Sequence, residues 1–209
     1  MQEKRAREES GEPFLPFVPD RARAPIATHL RSTMIATSVA ALRARGHFDA
    51  YRAELDPALR DELPATVAGL WLPMSRGIAH YEACDRLHLP SAVLLDIGAD
   101  AGSRVAKSAL SMVARLAANS GVTPWTIFVQ SHRIWDRMFK GSSVGIFKLG
   151  PKECRFEVIA WPLASIEYNR VSFRGILRSL LQPFCTQIYV NELTQLGTPL
   201  SVAYRVAWA

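Results

Sequence analysis

The sequence predicts an α+β protein, with an N-terminal helical layer followed by a β-β-α-β-β antiparallel sheet. Three observations lead there. Apolar residues recur with helical period through the first two thirds of the chain and change to alternation after about residue 142. The alternating segments come in pairs divided by "GPK" and "TQLGTP", as hairpins require. A single amphipathic segment separates the two pairs, and no internal repeat is present, so helices precede strands rather than alternating with them.

Residues 1–24 are first charged and then proline-dotted, and are expected to form a flexible or surface-laid arm that its phenylalanines could pin. Residues 25–209 are expected to be a single α+β domain. In "THLRSTMIATSVAALRARG" the residues Leu30, Met34, Val39 and Leu42 fall near one helical face, and Gly46 supplies a C-terminal cap. "HFDAYRAELDPALRDELP" reads as two short helices around Pro57, and "LPMSRGIAHYEACDRLHLP" as another helix stopped by Pro90. "SAVLLDIGADAGSRVAKSALSMVARLAANSG" is two helices or one bent helix, in which Gly98 and Gly102 remove side chains where a neighbour packs. "TPWTIFVQSHRIWDRMFKG" is a helix with Pro124 in its first turn and Gly141 at its end. "SVGIFKL" with "CRFEVIAWPL" and "CTQIYVNEL" with "LSVAYRVAW" are the two hairpins.

Between them, "YNRVSFRGILRSLLQPF" begins like a strand and becomes helical at Ser172, a suitable N-cap, so a helix is expected over residues 172–183. Phe173, Ile176, Leu177, Leu180, Leu181 and Phe184 form an uninterrupted core stripe. Arg174 and Arg178 lie four apart on the opposite face, where like charges repel. Water covers them, or an anionic ligand or partner does. In the second case Arg170 and Arg155 are the expected companions.

Composition narrows the functional classes. The chain is 49% hydrophobic and 21% charged over 209 residues, which is enough to bury a core. No apolar run approaches the roughly 20 residues of a bilayer span, and the charged N-terminus is unlike an export signal, so a cytoplasmic location is expected. Three cysteines without C-x-x-C spacing suggest buried reduced thiols, and neither a disulfide framework nor a metal site. The net charge of +6 is concentrated in residues 101–180, which hold twelve basic and four acidic residues. That block lacks the dense clusters and interleaved aromatics of a nucleic-acid groove, so nucleic acid is not the expected partner.

Each short motif has a blander counterpart. "VLLDIGADAG" resembles the strand–loop–helix with which methyltransferases bind S-adenosylmethionine, but Asp100 occupies the middle glycine position. His132 shares a helical face with Phe128 and Trp135, the setting of a heme ligand or of a hydrogen-bonded core histidine. His80, Cys84 and His88 align on one helix, yet the two histidines would stand about 12 Å apart along it, too far for one metal. No nucleophile–base arrangement stands out, so no catalytic residue is assigned and no enzyme is expected.

Several pieces in order across residues 92–208 carry a family resemblance. They are the glycine-spaced "LLDIGADAG", then "IFVQSHRIWDRMFKG" with Trp135, Phe139 and Gly141, then "CRFEVIAWP", "VSFRGILRSLL" and the closing "AYRVAW". Together they resemble the superfamily of heme-NO-binding (H-NOX) domains, the 4-vinyl-reductase ligand-binding domains of bacterial regulators, and the TRAPP subunits of vesicle tethering. The whole chain is also similar to a family of mostly myxobacterial proteins of about this length. The resemblance implies a non-catalytic signalling or scaffold module, able to dimerise through helices or bind a protein partner, with a small apolar ligand between helices and sheet. No cofactor is required by that reading. The alternatives are an S-adenosylmethionine-dependent methyltransferase and a heme-based gas sensor. For heme, the resemblance implies His132 as axial ligand, with Ser172 and Arg174 matching the last two letters of the propionate-binding Y-x-S-x-R, while Arg170 stands in place of the tyrosine.

Overall fold

The protein is described by a computed structural model over residues 11–15, 23–116 and 123–209, with backbone alone for residues 105–116. The alternating segments form one antiparallel sheet. Its strands are β1 (Glu12–Pro13), β5 (Ser143–Gly150), β6 (Glu153–Ile159), β7 (Ile188–Glu192) and β8 (Ser201–Trp208), in spatial order β1-β5-β6-β8-β7. The two predicted hairpins are its body, with registers centred on Ile146↔Phe156 and Val190↔Val206. The pair β6–β8 joins them, Phe156 lying opposite Tyr204. The sheet gains an edge strand from the N-terminal arm: Glu12 and Pro13 pair with Lys148 and Phe147, and Phe14 packs on Trp125 with ring centroids 4.6 Å apart. The rest of the expected arm, residues 1–10 and 16–22, lies outside the described residues.

A second, three-stranded sheet was not expected. β2 (His29–Arg31) stands between β3 (Trp71–Pro73) and β4 (Phe139–Lys140). These strands occupy what the sequence assigned to helix ends. Two or three residues are too short to show alternation, and only partners distant in sequence reveal them. The helices therefore start later than expected: α1 spans Ser32–Ala44 and α3 spans Met74–Asp85. Between them, α2 covers Phe48–Glu54, followed by a short 3-10 turn at Pro57–Leu59. Gly46, with φ +74, closes α1 as anticipated.

The glycine-bearing stretch is one continuous helix, α4 (Ser91–Leu116). This overturns the methyltransferase reading, because no strand and no phosphate-facing loop exist there and the sheet beyond it is antiparallel. Asp100, where that motif needs glycine, instead pairs with Arg45, just past the end of α1, at 2.7 Å. The next predicted helix is broken at Gln130 into α5 (Pro124–Val129) and α6 (Ser131–Asp136). Thr123 and Thr126 cap α5 reciprocally around Pro124.

The central helix, α7, spans Glu167–Leu181, so the strand-like start of this segment is helical and Ser172 is no cap. Asp85, at the end of α3, does the capping: its carboxylate accepts the Tyr168 backbone N–H at 2.6 Å. Leu177, Leu180 and Leu181 are buried as the stripe requires, while Phe184 lies beyond the helix and only partly buried. On the sheet side, Phe173 meets Phe156, Tyr204, Trp161 and Trp135 at 5.5–6.0 Å between ring centroids. On the other side α7 lies along α4, and backbones approach where side chains are missing. A Cβ on Gly98 would stand 1.8 Å from the Ser172 carbonyl oxygen, and one on Gly175 would stand 2.1 Å from that of Leu95. The chain is thus layered, with the sheet below, α7 across it, α4 across α7, and α1 against α4.

Candidate functional site: an internal cavity with a basic mouth

The glycine-mediated crossing brings α4 and α7 so close that their flanking residues, with α1 opposite, cannot fill the space beside them. A cavity of about 510 Å³ remains there, within the size range of small-molecule pockets. α1 contributes Met34, Thr37 and Ser38, and α3 contributes Tyr81. α4 presents Ile97, Gly98, Ala101 and Arg104, whose spacing from Gly98 onward by threes keeps them on one face. Ile134 comes from α6, Arg137 and Met138 from the α6–β4 turn, and Tyr168, Asn169, Ser172 and Ile176 from α7. The cavity therefore lies among helices rather than between helices and sheet, where it was expected.

Its floor is polar but satisfied from within. The hydroxyls of Ser38 and Tyr168 share a buried hydrogen bond of 3.1 Å. The Asn169 amide donates to the Leu163 carbonyl at 3.1 Å, and the Ser172 hydroxyl donates to the Asn169 carbonyl at 3.2 Å. Burial, reinforced by Cys84, holds the Tyr168 phenol well above its ordinary pKa, so it stays protonated. Behind this wall His80 is fully buried, with Nδ1 2.7 Å from the Tyr51 hydroxyl and Nε2 3.7 Å from Cys84 Sγ. Burial pushes its pKa down to about 3, so the imidazole is neutral. Burial also pushes the Cys84 thiol up, which makes it an inert core group.

The mouth is cationic. Arg31 is anchored, donating from Nη1 to the Gly69 carbonyl at 2.8 Å and from Nε to the Arg137 carbonyl at 3.2 Å, with its guanidinium 4.1 Å from the centroid of the Trp71 ring. Arg104 and Arg137 line the same cavity and are exposed. No aspartate or glutamate is among the described lining residues.

The predicted site residues are dispersed by comparison. Of the heme set, Ser172 lines the cavity, His132 is exposed on α6, and Arg174 turns away to donate to the Val190 carbonyl of β7 at 3.1 Å. Of the predicted anion site, Arg170 pairs with Glu192 at 3.1 Å and donates to the carbonyls of Ala164 and Ser165. Arg155 is buried, pairs with Glu157 at 2.7 Å and stacks 4.0 Å from the Phe147 ring. Because Phe156 faces α7, Arg155 must face the other side of the sheet and cannot join Arg170 and Arg174. Arg178 alone is exposed and without a partner among the described residues. Cys84 and Cys154 are buried thiols, but Cys185 is only half-buried.

The residues that do converge were partly legible. The three-residue spacing of Gly98, Ala101 and Arg104 marks one face of α4, and Thr37 and Ser38 interrupt the apolar face of α1. Arg31 and Arg137 carry no local signal, since only the small sheet brings them together.

No protein-family model matches the chain, and no curated protein matches it in sequence. Its structure is nevertheless similar to those of H-NOX proteins. An unliganded Fe(II) H-NOX mutant protein from K. algicida superposes with TM-score 0.57 at 9% identity, over 86% of this chain and 97% of that one. A mutant H-NOX from T. tengcongensis gives 0.54 at 11% identity, over 85% and 96%. An oxygen-binding H-NOX domain related to soluble guanylate cyclases gives 0.51 at 11%, over 85% and 94%. Across most of its length this chain therefore has the α+β fold of the H-NOX domains.

Proposed function

We propose that the protein is a non-catalytic ligand-binding module that senses a small apolar molecule in the cavity among α1, α4 and α7. One observation carries the reading: a well-formed cavity whose polar floor is already hydrogen-bonded within the protein, leaving apolar walls to be covered. Binding without chemistry agrees with the lining, which holds no nucleophile–base pair among the described residues. Because α4 and α7 both line the cavity and form the spine of the fold, occupancy is placed to alter a surface read by a partner, another protein or a second copy of this chain. Such a module suits the cytoplasm, where three unpaired thiols persist.

The heme-sensor reading draws support from the fold, since the similar structures include proteins studied for heme distortion. The residues present do not fit the group. No histidine or cysteine is among the described residues lining the cavity, and His132 is exposed. The Tyr168 phenol is hydrogen-bonded and held protonated, and the thioethers of Met34 and Met138 serve heme proteins alongside a histidine.

Titration with the neutral, solvent-sensitive dye Nile red tests the cavity. The protein should enhance its fluorescence saturably, and Ala101→Trp, which fills the cavity, should abolish the enhancement while the protein stays folded by circular dichroism. Unchanged dye binding in that variant would overturn the reading. A hemin titration tests the alternative: a sharp, stoichiometric Soret band lost on substitution of a cavity residue would establish it instead.

A further inference from the structure

The cavity has two chemically different parts, and the ligand class follows from their combination. Its walls are mainly apolar, and the hydroxyls of Ser38, Tyr168 and Ser172 and the Asn169 amide are committed to internal partners. A polar ligand body would thus lose hydration without replacing it. Arg31, Arg104 and Arg137 all line the cavity, with no lining carboxylate to neutralise them. Arg104 and Arg137 take part in no ion pair among the described residues and are exposed, so they stand where the cavity opens to water. Arg31 is held by two backbone carbonyls and by Trp71, which fixes one cation in place before any ligand arrives. Like charges gathered this way repel one another, and an anion between them relieves that repulsion.

We propose that the ligand is an anionic amphiphile. Its aliphatic body lies in the cavity and its single acidic head, a carboxylate or a phosphate monoester, sits at the mouth between Arg31, Arg104 and Arg137. Guanidinium forks match either head bidentately, which a neutral head cannot reproduce. The neighbouring loop supports passage of an apolar chain. Val67 and Leu70 are among the most exposed large apolar side chains of the described residues, and Ser32 pins their loop beside the cavity through the Val67 carbonyl and the Leu70 N–H.

This inference rests on the cavity reading above, and the experiment separates the two. Displacement of Nile red is measured with dodecanoate, dodecyl phosphate and dodecanol below their aggregation limits. At least one acid should displace the dye with an affinity roughly tenfold or more above that of dodecanol, about the worth of one charge-assisted contact. The better of the two acids identifies the head group. Raising the ionic strength should narrow the gap, because the contact is made at an exposed mouth. The double variant Arg104→Gln with Arg137→Gln, checked for folding by its melting curve, should shrink the gap between the acids and the alcohol to what the remaining Arg31 supplies. Equal displacement by acids and alcohol in the unaltered protein, or a gap undiminished in the double variant, would overturn the head-group assignment while the cavity reading stands. Failure of Nile red itself to bind would remove both.

Discussion

Leu177 and Arg178 are sequence neighbours on α7 with opposite surroundings: Leu177 is 3% exposed within the core, whereas Arg178 faces solvent. Leu177→Ala should therefore cost about 2–5 kcal/mol, and Arg178→Ala no more than about 0.5, in chemical denaturation. Similar losses would contradict the face assigned to each. His80 makes a second residue-scale prediction. Its pKa is lowered by burial from 6.5 to about 3, so as pH falls the unfolded chain takes up the proton first. The stability associated with the neutral imidazole is full above pH 6.5 and is lost through the window down to about 3, at up to about 1.4 kcal/mol per pH unit. His80→Gln lacks that titration, and the stability difference between the two proteins should change across this window. A constant difference from neutral pH to pH 4 would show that His80 is not buried as a neutral ring. At this scale the arginines show why sequence misleads. Four-residue spacing placed Arg174 and Arg178 together, but Arg174 reaches a carbonyl on β7 and Arg170 finds Glu192, and such partners have no local signature.

Among the elements, the crossing of α4 and α7 is the joint on which the cavity depends. A methyl group at residue 98 would overlap the Ser172 carbonyl, so Gly98→Ala forces the helices apart, although alanine is ordinarily the better helix former by about 1 kcal/mol. The expected result is a net loss of about 1–3 kcal/mol or more, accompanied by weakened Nile red binding. A stabilised Gly98→Ala protein would show that the helices are not in backbone contact. The packing role of Gly98 and Gly102 was legible, since glycines one helical turn apart leave a groove whatever lies against it. The long strands β5 and β8 were legible as well, because sustained alternation matches the two-residue period of a pleated strand and conflicts with the helical one. The start of α7 was not. "YNRVSF" alternates like a strand, and the carboxylate that caps it comes from Asp85, at the end of another helix. The three short strands around β2 escaped for the same reason: their only support is tertiary pairing.

At the scale of the whole molecule, the cavity has no wall of its own. α1 and α3 come from the N-terminal layer, α4 from the middle, the α6–β4 turn from the second sheet, and α7 from the C-terminal half. Unfolding any one of them opens it, so a ligand that binds there binds only the intact fold. Linkage then requires that saturating ligand stabilise the protein globally, by about 2.7 kcal/mol at a hundredfold excess over Kd. For a chain of this length each kcal/mol raises Tm by about 2–4 °C, so the shift should reach about 5–10 °C. Dodecanoate is the probe, with dodecanol as the neutral control at the same concentration. The transition should remain single as it moves upward, and Ala101→Trp should melt at one temperature with or without the acid. Binding seen by dye displacement without an upward shift would mean that the acid sits on a surface that survives in the unfolded chain. An upward shift that persisted in the filled-cavity variant would locate the acid elsewhere, most directly at Arg178, an exposed helix cation outside the cavity lining and without a partner among the described residues.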